Sequence, residues 1–301
     1  MLSILIPIYN FDVRPLINDL QKQSELTGVE YEIICLDDGS TAHFKAIHKG
    51  LTTLSNVHYE ELPQNLGRSK IRNQLAKMAQ YDYLLFMDND SGLTHPNYIQ
   101  TYLDHLHPEQ LLYGGRVYKT KMPKEKELQF HWYYGRQREQ SPADQRKSRP
   151  YHSFMTNNFL IPKSIFEQIQ FDEQLTQYGH EDTLFGMELR KRQIPIIHLD
   201  NPLEHLGLEP REIFLEKTKK GIQNLYSLFQ RGLPIETKLL RTFQLLKKWK
   251  LLSLTRLVLH QMHPFIMQQI QQRPHEMRWF DLLKLHYLLN EIRAVKSPPK
   301  K

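Results

Sequence analysis

Residues 83–87, Tyr-Leu-Leu-Phe-Met, form an apolar run that stops abruptly at Asp88-Asn89-Asp90. A run of this length and aromatic content is the signature of a buried strand. Alternate residues of an extended chain share a side, so Asp88 and Asp90 project together from the strand's end. Two carboxylates at the edge of an apolar sheet repel each other unless a cation or donor groups compensate. Oxygen ligands of this kind suit a hard divalent ion, Mg²⁺ or Mn²⁺, especially one shared with phosphates. Taken alone, Asp-x-Asp reads as an acidic turn, because Asp and Asn favour turns. Its surroundings shift the balance.

Residues 2–8 form a first apolar run closed by Pro7 and Asn10. A helical spacing follows over 13–26, with Asp12 as its expected cap. A second buried strand is expected over 30–36, and it too ends in carboxylates, Asp37-Asp38-Gly39-Ser40. Residues 56–61 read as an exposed strand, and Asn65-Leu66-Gly67-Arg68 leads into a helix over 69–78. This rhythm is that of a parallel α/β sheet. Ligands of such sheets sit outside the carboxyl ends of the strands, where Tyr9-Asn10, Asp37-Asp38 and Asp88–Asp90 all fall. Three polar clusters meeting at one edge are far less expected by chance than any one of them.

Further on, 96–106 reads as a helix and 111–118 as a strand, with Gly114-Gly115 permitting close backbone approach. Residues 120–151 are rich in charge yet carry Phe130, Trp132, Tyr133 and Tyr134. Two readings stand: a mobile loop that grips an acceptor, or an amphipathic helix with inward aromatics. A strand over 154–161 enters a helix over 162–169, and 194–199 is a last short strand. Glu181 and Asp182 stand at the amino end of a helix that starts by Thr183. Exposed N–H groups there favour ionised carboxylates.

After Pro210 the pattern is helical, over 211–231, 238–250, 251–263 and 278–292, and residues 296–301 are expected to fray. Charge divides at the same place. Residues 211–301 hold 18 Lys and Arg against 6 Asp and Glu, whereas 1–210 hold 22 against 27. The expected organisation is therefore an α/β domain over 1–210 followed by a basic helical region over 211–301. That region suits an anionic membrane face, a second subunit, or packing on the α/β domain. No nucleic-acid motif accompanies its charge, so no nucleic-acid partner is expected.

Cys35 is the single cysteine, which rules out an internal disulfide and fits a reducing compartment. The start of the chain reads as a strand rather than a signal peptide. No stretch approaches the apolar length of a membrane span. The expected location is cytoplasmic, peripheral on the inner face of the membrane if the basic tail meets lipid.

In these motifs the chain resembles the family 2 glycosyltransferases of GT-A fold, a Rossmann-like nucleotide-diphospho-sugar transferase fold, over roughly residues 1–207. Ile6-Pro7-Ile8-Tyr9-Asn10 resembles that family's first strand and nucleotide loop, and Asp37-Asp38-Gly39-Ser40 its Asp-Asp-Gly-Ser turn. Asn65-Leu66-Gly67-Arg68 with Arg72-Asn73 is similar to its Asn-x-Gly…Arg-Asn segment. Asp88-Asn89-Asp90 matches the Asp-x-Asp motif. Phe171-Asp172-Glu173…Gly179-His180-Glu181-Asp182 resembles the corresponding segment of galactosyl- and N-acetylgalactosaminyltransferase-like members.

The resemblance implies an inverting transferase that moves a hexose or N-acetylhexosamine from a UDP-sugar to a hydroxyl of a glycan or lipid-linked acceptor, in cell-surface polysaccharide or glycolipid synthesis. It implies that Pro7, Ile8, Tyr9, Asn10, Asp37 and Asp38 line the base and ribose, with Asn65, Gly67, Arg68 and Asn89 nearby. Asp90 would ligate the Mn²⁺ or Mg²⁺, Asp88 would face the ribose and metal shell, and His205 would supply a third ligand. An imidazole there suits Mn²⁺ better than Mg²⁺; a structural histidine is the alternative. Asp182 is the expected general base and Glu181 a hydrogen-bond partner of a sugar, although the two can exchange roles. The Gln-x-x-Arg-Trp motif of processive synthases is absent, so addition of single sugars is expected. Two other functions fit the pattern less well. A sugar-nucleotide pyrophosphorylase would want a glycine-rich loop after the first strand, and no glycine occurs before Gly28. A non-catalytic binding protein would use the basic helices alone.

Overall fold

A computed structural model describes residues 1–175 and 179–296. The chain divides into two compact units. One comprises Met1–Thr120, Arg138–Thr176 and Glu181–Gly207; the other comprises Lys121–Gln137, Gln177–His180 and Leu208–Lys301.

The first unit is built on β1 (Leu2–Ile8), β2 (Tyr31–Asp37), β3 (Val57–Glu61), β4 (Tyr83–Met87), β5 (Ser91–Leu93), β6 (Leu111–Tyr113), β7 (Arg116–Val117), β8 (Asn158–Pro162), β9 (Ile196–His198) and β10 (Leu203–His205). Seven of these form one sheet in the order β3-β2-β1-β4-β8-β6-β9, and β5-β10-β7 form a second. From β3 to β4 every neighbouring pair is parallel. The middle strands are buried on both sides, which explains their unbroken apolar sequences. Ile4, Ile6, Ile33, Cys35, Leu85 and Met87 enter one core. Leu5, Ile34, Leu36, Leu84 and Phe86 enter the other, across the sheet. The chain winds outward from β1 to β3 and then returns to β4 on the far side of β1. Strand order therefore reverses between β1 and β4, the place where open α/β sheets bind ligands. The GT-A architecture expected from the sequence is the one observed, with a helical carboxyl-terminal region.

Local differences have physical causes. β8 runs antiparallel to both β4 and β6, so the sheet is mixed rather than wholly parallel. The single strand expected over 111–118 is broken at Gly114-Gly115, and its two halves join different sheets. Both Tyr98 and Tyr102 donate their hydroxyls to Asn158 Oδ1, at 2.6 and 2.7 Å, while Asn158 Nδ2 donates to the carbonyls of Gly115 and Asn201, each at 2.9 Å. A Cβ at Gly114 would overlap the Asn201 carbonyl and the Asn158 amide. Asp12 is not the cap of the first helix, Arg14–Thr27: Val13 holds that position, and the Asp12 carboxylate instead accepts from Arg14 N–H at 3.1 Å and pairs with the Arg14 guanidinium at 2.7 Å.

The second unit is helical. Residues 120–151 contain a helix at Lys126–Tyr134, and Phe130 is buried edge-on against Phe214 and Phe280, with ring centroids 5.9 and 5.2 Å apart. Arg211–Gln230 is followed by Gly232 at φ +79°, the left-handed stop its sequence suggested. Leu252–Gln272 continues nine residues past the expected end, through Pro264. A proline inside a helix costs about 3 kcal/mol, and burial of Leu259, Ile266 and Ile270 around it offsets that cost. The fraying expected at the carboxyl terminus falls, for 297–301, outside the described residues.

Candidate active site

The parallel strands deliver their carboxyl ends to one edge of the first unit. At the end of β1 the backbone carbonyl of Ile8 accepts from Asp38 N–H at 2.8 Å, tying the first loop to the second. Asn10 takes φ +48° and bridges the same loops: its N–H donates to Ser40 Oγ and its Oδ1 accepts from Thr41 N–H, both at 2.9 Å. Asp37 is fully buried and accepts from Ser40 N–H at 2.6 Å. The Asp38 carboxylate accepts from Leu66 N–H at 2.6 Å and Gly67 N–H at 3.2 Å, and Asn65 Nδ2 donates to its carbonyl at 3.0 Å. Burial pushes the Asp38 carboxyl up, against the pull of those two N–H groups. The acidic pair of β2 thus builds the loop framework. Pro7 pairs with Leu36 inside the sheet, and Tyr9 leaves its ring half exposed at the edge.

A second group gathers at the end of β4. Asp88 is clamped by two arginines: Arg72 donates to Oδ1 at 2.7 Å and Arg116 to Oδ2 at 2.9 Å. Arg116 also meets Glu139 at 3.2 Å, and the Tyr118 hydroxyl donates to that same carboxylate. Arg68 at the start of its helix donates to Glu181 at 2.9 Å. Asn89 Nδ2 donates to the Tyr9 carbonyl at 3.3 Å, joining the two groups.

Asp90 is positioned by the small sheet. Ser91 of β5 is paired with His205 of β10, and Leu206 N–H donates to the Asp90 carbonyl at 2.8 Å. Asp90 Oδ1 and His205 Nδ1 stand 3.5 Å apart, an ion-pair rather than a hydrogen-bond separation. Burial of Asp90 works against its ionisation. His205, with Arg116 and Arg68 beyond it, outweighs that and holds the carboxyl far below the usual range. At Gly207 a Cβ would lie 2.8 Å from Asp90 Cγ, so only glycine lets the backbone close over this carboxylate.

One carboxylate and one imidazole side by side match the donor types that first-row divalent ions accept. Their separation is close to that of two neighbouring ligands on one such ion. Among the described residues no three His, Cys, Asp or Glu side chains form a cage. Both Asp88 oxygens are engaged by arginine.

The helix Glu181–Lys191 begins with the two remaining acids in its first turn. Glu181 is buried and Asp182 half buried. Burial opposes ionisation of Glu181, yet Arg68 and then Arg72 override it and hold the carboxyl below its ordinary value. Asp182 Oδ1 accepts from Thr183 N–H at 2.7 Å. The helix is anchored from below by Phe185, stacked on Phe171 at 4.5 Å, with Phe171 edge-on to Phe86 of β4 at 6.3 Å. Asn73 completes the anchor: it accepts from Phe171 N–H and donates to the Phe171 carbonyl and to Glu173, at 2.9, 3.0 and 2.9 Å.

Arg68, Asp88, Asp90, Glu181 and His205 therefore share one electrostatic cluster, while Asp37, Asp38, Asn65 and Gly67 form the loops beside it. Arg116, Tyr118 and Glu139 were not identified from the sequence. Arg116 follows the double glycine directly, the one local hint, but nothing in a charged residue's neighbours announces that it will be buried against a carboxylate.

The Glu181 geometry carries a pH prediction. Its folded carboxyl titrates below the unfolded value of about 4.3, so its stabilising effect is complete above that pH and lost as pH falls through the folded value. Glu181→Gln is expected to lower stability at pH 7 by about 1.5 kcal/mol, the low end for a charged hydrogen bond because Arg68 is half exposed. The difference in thermal midpoint between the two chains should shrink as pH drops from 5 to 3. A gap that stays constant over that range would remove the ion pair as its cause.

These features define an α/β protein with an acidic, arginine-braced edge at the carboxyl ends of its parallel strands. The chain belongs to the family described as Glycosyl transferase family 2, which matches residues 3–170. It is 26% identical over 220 residues to the chondroitin synthase of Escherichia coli, covering 62% of this chain and 32% of that one. It is 32% identical over 91 residues to the poly(ribitol-phosphate) beta-N-acetylglucosaminyltransferase TarS of Staphylococcus aureus, covering 29% of this chain and 16% of that one. It thus spans a third or less of these curated relatives. The structure of TarS 1-349 in complex with UDP superposes with a TM-score of 0.51 at 19% identity, covering 98% of this chain and 91% of that one. The mannosyltransferase PcManGT from Pyrobaculum calidifontis, in complex with GDP-Man and Mn2+, gives 0.58 at 11%, covering 99% and 88%.

Proposed function

We propose that this chain is an inverting glycosyltransferase that moves a hexose or N-acetylhexosamine from a UDP-sugar to a hydroxyl of a glycan or lipid-linked acceptor, in polysaccharide or glycolipid synthesis. The observation that carries the reading is the pairing of Asp90 with His205 at the edge that also bears Glu181 and Asp182. Family membership favours transfer over pyrophosphorylysis or simple binding. The UDP complex of TarS and the GDP-Man and Mn2+ complex of PcManGT lend further support, as the chemistry of similar proteins.

In this reading the exposed ring of Tyr9 stacks on the base, and the interlocked loops of Asn10, Asp38 and Asn65 fix the pocket's floor. Asp90 and His205 would hold Mn²⁺ or Mg²⁺, with Asp88 behind them orienting Arg72 and Arg116. When bound, the ion supplies Lewis-acid stabilisation for charge on the leaving diphosphate. Arg68 sits half exposed beside that position and adds positive charge. Asp182 accepts the proton of the acceptor hydroxyl as that oxygen bonds to the anomeric carbon. The bond from the anomeric carbon to the diphosphate oxygen breaks in the same displacement, its electron pair leaving with UDP. Glu181, neutralised by Arg68, is placed to orient a sugar hydroxyl rather than to take a proton.

The direct test is a nucleotide-release screen with Mn²⁺ over UDP-galactose, UDP-N-acetylgalactosamine, UDP-glucose, UDP-N-acetylglucosamine and GDP-mannose, with and without glycan acceptors. One UDP-sugar is expected to be consumed well above the others. Turnover of GDP-mannose alone would overturn the UDP assignment, and release from no donor would sink the enzymatic reading.

A further inference from the structure

The second unit carries a set of exposed large apolar residues between Leu245 and Val258. Leu252–Gln272 is amphipathic in an unusual sense, with apolar residues on two opposite sides. Leu259, Ile266 and Ile270 are buried on one side. Leu254, Leu257 and Val258, spaced i, i+3 and i+4, share the other and are exposed, Leu254 by 59% and Leu257 by 55%, whereas the partly exposed Phe265 packs edge-on to Trp279 with ring centroids 5.4 Å apart. The preceding helix, Lys238–Lys248, ends in a tight turn that continues the patch. Trp249 N–H bonds to the Leu245 carbonyl at 3.0 Å and Leu251 N–H to that of Leu246 at 2.9 Å, with Lys250 at φ +61° between them. That ordered turn presents Trp249 65% exposed, flanked by exposed Leu245 and Leu251. Scattered single apolar residues on a surface are ordinary, but six large exposed ones within the fourteen residues 245–258, a tryptophan among them, mark an interaction face.

Charge identifies the partner. Residues 238–272 contain six Lys and Arg and not one Asp or Glu. Arg241, Lys247, Lys248 and Lys250 are exposed around the apolar set. A second copy of this chain docked symmetrically through the same face would bring like charges together with no acid on either stretch to answer them. A bilayer with anionic headgroups answers both features at once, phosphates for the cations and an interfacial layer for the tryptophan and leucines. No helix among the described residues is long and apolar enough to cross a membrane, which makes the geometry that of a helix lying on the surface.

We propose that residues 245–258 form a membrane-docking face that binds anionic lipid bilayers, with Trp249, Leu251, Leu254 and Leu257 entering the headgroup layer and Lys247, Lys248 and Lys250 pairing with lipid phosphates. The proposal rests on these helices alone and does not depend on the catalytic reading.

Flotation of the full chain with phosphatidylcholine vesicles, with and without 30% phosphatidylglycerol, is the test. Most of the protein is expected to float with the anionic vesicles, little with the neutral ones, and release is expected in 0.5 M NaCl. Lys247→Glu with Lys248→Glu should weaken partition about tenfold or more, and Leu254→Ser with Leu257→Ser comparably. Because these positions are exposed, both variants should keep the parent's thermal midpoint. Tryptophan emission should shift to the blue on anionic vesicles in the parent and much less in Trp249→Phe, a change that leaves packing intact. Equal binding to neutral vesicles, absence of binding, or variants that float like the parent would each overturn the proposal. So would a lipid-free dimer in sedimentation velocity that Leu254→Ser with Leu257→Ser dissolves, which would give the face to a second copy.

Discussion

Asp90→Ala and His205→Ala chains are each expected to bind Mn²⁺ at least 10-fold more weakly than the parent and to lose about 10³-fold in donor turnover. The expectation follows from how tightly the backbone brings these two side chains together. Asp90 lies three residues beyond the end of β4 and directly before β5, and β10 lies antiparallel to β5 with His205 opposite Ser91. Leu206 N–H then bonds the carbonyl of Asp90 itself. Gly207 finishes the enclosure, since any side chain there would strike the Asp90 carboxylate. Binding is best read from the electron paramagnetic resonance of free Mn²⁺, with UDP present, which does not depend on turnover. If His205→Ala titrates like the parent in that measurement, the imidazole is structural and the metal assignment fails, even should activity fall.

Much of this edge was legible in the sequence because it depends on strand periodicity and strand ends. The apolar runs of β1, β2 and β4 gave their own boundaries within a residue or two, and side chains at the ends of parallel strands must meet. Tyr9-Asn10, Asp37-Asp38 and Asp88–Asp90 could therefore be brought to one edge before any coordinates, whereas Arg68 and Glu181 joined them only through the family resemblance. What the sequence concealed was long-range pairing. The direction of β8 is invisible in Asn158–Pro162, because a strand buried on both sides reads alike in either direction. The strands β5 and β10 are three residues each, too short to show alternation, yet they align His205 with Asp90. Nor does sequence distinguish a carboxylate that waits for a ligand from one already spoken for. Asp38 and Asp88 look equally available, and the first is bonded to two backbone N–H groups and the second to two guanidiniums. The aromatics of Lys126–Tyr134 allowed two readings for a related reason: Phe130 has its partners, Phe214 and Phe280, more than 80 residues away.

Asp182→Asn is expected to reduce kcat by 10²- to 10⁴-fold, the usual range for a general base, with donor binding unchanged. Glu181 and Asp182 are adjacent in the first turn of one helix, so their different environments decide their roles. Glu181 is buried and saturated by Arg68, with Arg72 adding to the field. A carboxylate held that firmly in its charged form has little tendency to take a proton. Asp182 is half buried and accepts hydrogen bonds from the N–H and hydroxyl of Thr183. Those donors help fix its orientation at the helix start. Phe185, Phe171 and Phe86 anchor the helix start to β4 from beneath, so the substitution should leave the thermal midpoint nearly unchanged. Calorimetry with UDP and Mn²⁺ separates binding from chemistry, and kcat with a saturating acceptor reads the proton transfer. Glu181→Gln is the control: it should raise KM for a sugar more than it lowers kcat. Were the two variants to exchange these signatures, the base would be Glu181 and the arginine pair would have to open during turnover.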